Sequence, residues 1–88
     1  MTTRRLRKPS NCLTSVLATN IREFRKSKNI SQEKLAEMCG LHRTYIGSVE
    51  RGERNVTLGT LEILASALGL SVPELLTHPR KRHGKQTP

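Results

Sequence analysis

The residues of this chain best suited to contact a ligand lie on one face of a short predicted helix near the middle of the sequence. That helix is the second half of the stretch Ser31–Gly52, SQEKLAEMCGLHRTYIGSVERG. Its outer face is polar and lacks acids, and it is expected to expose Arg43, Thr44, Tyr45, Gly47, Ser48 and Arg51. In the DNA major groove an arginine can donate two hydrogen bonds to guanine, and a threonine methyl can contact thymine. The face therefore indicates DNA recognition.

The spacing of apolar residues predicts the elements that hold this face in place. Apolar or small residues recur at helical spacing in two segments, Leu35, Ala36 and Cys39 and then Ile46 and Val49. Between them, Gly40 can adopt the left-handed conformation that ends a helix. Two short helices joined by such a turn form a helix-turn-helix, whose second helix enters the major groove.

Three further helices are predicted around this pair. The first runs from Leu13 to about Lys28. Its apolar stripe is Leu13, Leu17, Ile21 and Phe24. The fourth begins after Thr57 and ends at Gly69, with a stripe of Leu58, Leu61, Leu64, Ala65 and Leu68. The fifth opens with the capping-box spacing of Ser71 and Glu74. No strand pattern is present, so the predicted fold is all-α with five helices.

Length and composition limit the chain to one small domain. It has 88 residues, of which 34% are hydrophobic, so the core must be modest and association into a dimer would help stabilise it. No apolar run is long enough to cross a membrane or to serve as a secretory signal, and the default expectation is a cytoplasmic protein.

Most of the net charge of +9 belongs to the two ends of the chain. Between residues 10 and 78 eight Lys or Arg stand against seven Glu. We therefore expect a flexible basic arm over residues 1–11, a folded domain over 12–77 and a flexible basic tail over 78–88. Basic ends suit nucleic acid, but they also occur as solvated termini without a partner.

Other chemistry is poorly supported by the sequence. The chain has no Asp, no glycine-rich phosphate loop and no Ser/His/acid cluster, so an enzyme is not expected. Cys39 and His42 have a ligand-like spacing, but a small buried thiol explains Cys39 better than a zinc site does. We expect no cofactor, no metal, no small-molecule ligand and no membrane partner.

Three segments carry a family resemblance that covers residues 13–77. SQEKLA, VERGERN and TLEILASALGLS, in this order, resemble the Cro/C1-type (XRE) helix-turn-helix regulators of bacteria and phages, and most of all the controller proteins of restriction–modification systems. The resemblance implies a five-helix lambda-repressor-like DNA-binding domain. It also implies an autoregulatory transcriptional regulator, either a repressor or an activator, that binds a pseudo-palindromic operator in the nucleoid as a homodimer.

The resemblance also implies roles for individual residues. Base-reading positions are Arg43, Thr44, Tyr45 and Ser48, and phosphate-contacting positions are Gln32, Arg54 and Asn55. Two further phosphate contacts are expected from the residues themselves: the exposed Arg51, and His42, which stands where Ser, Thr or Asp would cap the helix better. Arg25 and Glu50 match a partly buried ion pair. The fourth and fifth helices form the family's dimer interface, for which Ile63, Leu70 and Leu76 are candidates. Tyr45 can alternatively cover the edge of the core, and the three dimer candidates can be buried within the monomer.

A second function from another class stays open. An antitoxin would bind a protein toxin as its main partner and autoregulate its own operon, with the basic ends offering a surface to an acidic or RNA-degrading partner. For the regulator, RNA polymerase is an additional partner if it activates transcription. A neighbouring toxin gene would favour the antitoxin, whereas a neighbouring endonuclease or methyltransferase gene would favour the controller.

Overall fold

The computed structural model describes residues 11–78, which form five helices. They are α1 (Asn11–Ser27), α2 (Gln32–Cys39), α3 (Arg43–Glu50), α4 (Leu58–Leu68) and α5 (Val72–Leu75). No strand occurs within this range. The predicted all-α fold with five helices is confirmed. The predicted arm and tail lie outside the described residues, apart from positions 11 and 78.

Local signals in the sequence set the ends of the helices. The side-chain oxygens of Ser31, Thr57 and Ser71 each accept the backbone N–H three residues further on, which caps α2, α4 and α5. At the other end, α2 and α4 stop at Gly40 and Gly69, whose φ angles of 69° and 72° are left-handed. A residue with a Cβ would be strained at either position.

The core is aliphatic and is contributed by all five helices. Its most buried members are Ile21, Leu35, Ile46, Val49, Leu64, Leu68 and Leu75. Two residues of the predicted stripes fall outside it, since Leu13 is 48% exposed and Leu58 is 77% exposed. Both lie in the first turn of a helix, where the tilt of side chains toward the N-terminus carries them past the core. None of the helices in residues 11–78 has the length and apolar character needed to cross a bilayer.

One buried polar residue was not predicted from the sequence. Asn20 in α1 is fully buried, and its Nδ2 donates to the carbonyl oxygens of Leu75 (2.8 Å) and Thr77 (2.9 Å). These bonds satisfy carbonyl groups at the end of α5, which a four-residue helix cannot satisfy internally. Asn20 therefore joins α1 to α5.

Candidate nucleic-acid interface

The helix-turn-helix is formed by α2, α3 and a tight turn. The N–H of Gly40 donates to Glu37 O (3.2 Å), and the N–H of Leu41 donates to Ala36 O (2.9 Å). Ala36 is buried, and because its side chain is a single methyl group, α3 can cross α2 closely. His42 is the N-cap of α3, but its side chain makes no capping hydrogen bond and is exposed. The imidazole of His42 is therefore accessible to a ligand.

The first turn of α3 presents its side chains outward. Arg43 and Thr44 are exposed, and neither is held by an intramolecular hydrogen bond or ion pair within residues 11–78. Tyr45, the next residue, is half-buried and packs against the core. A guanidinium and a hydroxyl at the start of an exposed helix form a donor-rich surface of the kind that base edges and phosphates require.

The expectation that Gly47 and Ser48 lie on the exposed face is wrong. Both are buried, and Ser48 is only 5% exposed. Its hydroxyl donates to Tyr45 O (2.7 Å) and accepts from Nε of Arg54 (2.9 Å). Gly47 lies beneath the Arg51 guanidinium, whose Nη1 would be 3.3 Å from a Cβ placed there. The segment that follows α3 folds back over these residues, so the Ser48 hydroxyl is covered and already hydrogen-bonded within the protein.

Arg54 lies over the ring of Tyr45 rather than extending freely from its loop. The guanidinium carbon is 5.2 Å from the ring centroid, a cation–π distance. Arg54 and its neighbour Asn55 are both exposed. The loop after α3 therefore extends the polar surface of the first turn of that helix, and the two predicted phosphate-contacting residues adjoin it.

Arg51 is paired with an acid that the sequence analysis did not single out. Its Nε and Nη2 donate to the two carboxylate oxygens of Glu53, at 3.0 and 3.2 Å. Both side chains are more than half exposed. Hydrogen bonding from Arg51 holds the pKa of Glu53 below its ordinary value, so the acid is charged at neutral pH. A phosphate that approaches Arg51 must compete with this carboxylate.

The structure brings Arg25 and Glu50 together beneath this surface. Nε of Arg25 donates to Oε2 of Glu50 (2.6 Å), and Nη2 donates to Oε1 (3.0 Å). Nη1 of Arg25 donates to Ile30 O (2.9 Å), and Arg22 donates to the backbone oxygen of Glu50 (2.8 Å). Arg25 and Glu50 are 9% and 4% exposed, respectively. The pair ties the last residue of α3 to α1.

Opposing effects set the pKa of Glu50. Burial by itself would raise that pKa, but hydrogen bonds from Arg25 and Gln32, together with the charges of Arg25 and Arg22, outweigh burial and lower it. The carboxylate is therefore ionised at neutral pH, as its bidentate arginine partner requires.

Gln32 connects the ion pair with the surface. It is the first residue of α2, and its Nε2 donates to Oε1 of Glu50 (3.0 Å). The backbone N–H groups of Gln32 and Glu33 lie in the first turn, where no helical carbonyl can accept them. Such donors at a helix N-terminus favour an anion. The side chain of Gln32 is thus fixed beside a position suited to a phosphate.

The three candidates for a dimer interface differ in exposure. Ile63 is 44% exposed, whereas Leu70 and Leu76 are half-buried and pack against the core.

Cys39 is half-buried in α2, with its Sγ 4.0 Å from Ile63 O, and burial raises the pKa of its thiol. Within residues 11–78 no group of His, Cys or acidic residues could hold a metal ion.

Comparison with known proteins places this arrangement among DNA-binding regulators. The helix-turn-helix family model HTH_3 matches residues 21–75. The control protein C.SmaI of Serratia marcescens is 66% identical over 65 residues, which cover 74% of this chain and 77% of that protein. Both matches include the whole of the helix-turn-helix described above.

Solved structures show the same architecture. The hypothetical transcription factor NHTF from Neisseria has a TM-score of 0.81 at 45% identity, over 88% of this chain and 90% of that one. The restriction-modification controller protein C.Esp1396I, solved as a tetramer in complex with its natural 35 base-pair operator, has a TM-score of 0.67. It is 37% identical over 73% of this chain and 88% of that one.

Proposed function

Because the chain belongs to the HTH_3 (XRE-type) family of helix-turn-helix transcriptional regulators, with restriction–modification controllers among its relatives, we propose that it binds a specific operator as a homodimer. In this proposal α3 lies in the major groove and the protein regulates its own operon. The observation that carries the proposal is the exposed first turn of α3, where Arg43 and Thr44 have no intramolecular partner within residues 11–78.

Base reading is assigned to this first turn. Arg43 would donate to O6 and N7 of a guanine, and Thr44 would contact a thymine methyl or a phosphate. Tyr45 contributes through the exposed part of its ring, since the remainder packs against the core. Ser48 is withdrawn from base reading because it is buried.

Phosphate contacts are assigned to the rim of the same surface. Gln32 would donate to a phosphate together with the free N–H groups of the first turn of α2. Arg54 and Asn55 would contact the backbone from the loop after α3, with His42 at the helix start and Arg51 after release from Glu53. The folded domain has a net charge near zero, so its attraction to DNA has to come from this local arrangement of donors and cations.

Selection from a randomised duplex library, followed by footprinting of the enriched DNA, tests the proposal. Two related half-sites about one helical turn apart are expected, because a two-fold dimer presents two α3 helices at that spacing. Binding without sequence preference, or a single unrepeated half-site, would contradict it. The position of the footprint relative to the promoter distinguishes repression by occlusion from activation through RNA polymerase. We propose that the protein acts on the nucleoid in the cytoplasm. No catalytic activity is part of the proposal.

The dimer itself predicts an effect of Ile63→Glu. A charge placed in an apolar interface must be desolvated on association, so the variant is expected to be monomeric and to lose cooperative operator binding. Analytical ultracentrifugation and gel shifts measure the two effects. Glu62→Gln, at the neighbouring exposed position of α4, serves as the control and should remain dimeric. A dimeric Ile63→Glu protein would show that the interface lies elsewhere.

A further inference from the structure

The orientation of the Ser48 hydroxyl is fixed because one neighbouring group accepts its hydrogen and another donates to its oxygen. A serine hydroxyl has one O–H donor and two lone pairs. The hydrogen is used in the 2.7 Å bond to Tyr45 O, one turn back along α3. The lone pairs are thereby left for Nε of Arg54, which donates from 2.9 Å. Ser48 thus acts as an acceptor toward the loop and as a donor toward its own helix.

Arg54 is held at two points, and both belong to α3. Its Nε is hydrogen-bonded to Ser48, and its guanidinium carbon lies 5.2 Å from the centroid of the Tyr45 ring. Since the two contacts involve Nε and the face of the guanidinium, the N–H groups of the two terminal nitrogens remain for a ligand. Arg54 is nevertheless exposed as a whole, so such a ligand can reach it.

We propose that Ser48 is a positioning residue for DNA binding, whose buried hydroxyl, together with the Tyr45 ring, holds Arg54 ready to donate its terminal nitrogens to a phosphate. The inference rests on the proposed function, because it takes Arg54 to contact the DNA backbone. It gives Ser48 an indirect role instead of the direct base contact implied by its position in the helix.

The benefit is an arginine that is ordered before DNA arrives. An unrestrained arginine loses rotamer freedom when a ligand immobilises it, and this loss weakens binding. Because of the hydrogen bond to Ser48 and the packing on Tyr45, Arg54 loses this rotamer freedom during folding and not on binding. They also couple the loop to α3. A contact between Arg54 and a DNA phosphate would therefore help to fix the orientation of α3, whose first turn reads the bases.

A double-mutant cycle on the selected operator duplex tests the proposal. Ser48→Ala in the wild-type background should weaken operator binding about threefold to tenfold, the effect of leaving one rotamer-rich side chain to be immobilised on binding. In the Arg54→Ala background the same substitution should change nothing. Ser27→Ala is the matched control, because Ser27 makes the same hydroxyl bond to the carbonyl three residues before it, at 2.8 Å, within α1. Equal weakening by Ser48→Ala in both backgrounds would overturn the proposal.

A measurement on the free wild-type protein separates positioning from DNA contact. The Nε–H of Arg54 should exchange with water more slowly in NMR spectra than that of Arg43, which has no intramolecular partner among residues 11–78. Ser48→Ala should remove the difference. Equal exchange of the two arginines in the wild type would overturn the proposal even if the variant fails to fold. A protected Arg54 whose removal leaves operator affinity unchanged would also overturn it, while leaving base reading by Arg43 intact.

Discussion

Replacing Glu50 with glutamine is expected to destabilise the fold by about 3–5 kcal/mol, because it leaves the buried guanidinium of Arg25 without a counter-charge. The loss is large for a domain of this size, whose total stability is expected to be about 5–15 kcal/mol. Glutamine keeps the shape of the side chain, so the effect reports on charge and acceptor capacity rather than on a cavity. Urea denaturation followed by far-UV circular dichroism measures it.

Two comparisons make the Glu50 result specific. Glu37→Gln breaks the exposed Lys34–Glu37 pair, whose atoms are 3.7 Å apart, and should cost less than about 1 kcal/mol. Replacing both Arg25 and Glu50 with methionine should recover much of the lost stability, since neither charge then remains buried alone. A Glu50→Gln protein as stable as Glu37→Gln would contradict the structural role assigned to the pair.

The same carboxylate predicts how stability depends on pH. The pKa of Glu50 in the folded protein lies below its ordinary value near 4.5. A depressed carboxyl pKa stabilises the fold fully above the unfolded pKa, and the contribution is lost as the pH falls through the folded one. The loss of stability that Glu50 causes on acidification should therefore begin near pH 4.5 and increase as the pH falls further. In Glu50→Gln that part of the pH dependence should be absent, leaving a protein destabilised at neutral pH as well.

Arg43→Ala is expected to give the largest loss of operator recognition, about 1–3 kcal/mol, and to relax the preference at one base pair of each half-site. The fold should be unaffected, because Arg43 is exposed and has no intramolecular partner within residues 11–78. Gel shifts against the selected duplex and its single-base variants measure both effects. They distinguish a lost base contact from a lost phosphate contact.

The control for Arg43 removes the same charge elsewhere. Lys28→Ala, in the exposed turn after α1, should leave sequence preference unchanged. If Arg43→Ala instead weakens all duplexes alike and lowers the salt dependence of binding, Arg43 contacts a phosphate and the base-reading role falls to Thr44 or Tyr45.

The sequence predicted those parts of the fold that depend on short-range signals. The start after Thr57, the capping box of Ser71 and the stops at Gly40 and Gly69 each involve residues a few positions apart. The helix-turn-helix follows from these ends and from the apolar spacing between them. The resemblance supplied the pairing of Arg25 with Glu50, which lie 25 positions apart and which spacing alone could not connect.

The errors and omissions arise where a contact depends on the conformation of a loop or on the position of another helix. Ser48 lies on the outer side of α3 by helical spacing alone, but Arg54 returns from the loop and covers it. Glu53 was overlooked because its pairing with Arg51 depends on the conformation of that loop. Asn20 was overlooked because an asparagine within a helix usually faces water, and only the position of α5 gives it carbonyl partners.

The two bonds from Asn20 also predict an order of assembly. A four-residue helix is far too short to persist by itself, so α5 can form only when α1 is already in place to bind its carbonyls. Nearly the whole of the domain is synthesised between the two partners, so we expect α5 to dock after the helices that precede it. Leu75, whose N–H donates to Ser71 O, should then gain protection late in a refolding experiment monitored by pulsed hydrogen exchange. A nascent chain is then expected to acquire α5 only after α2 and α3 are complete.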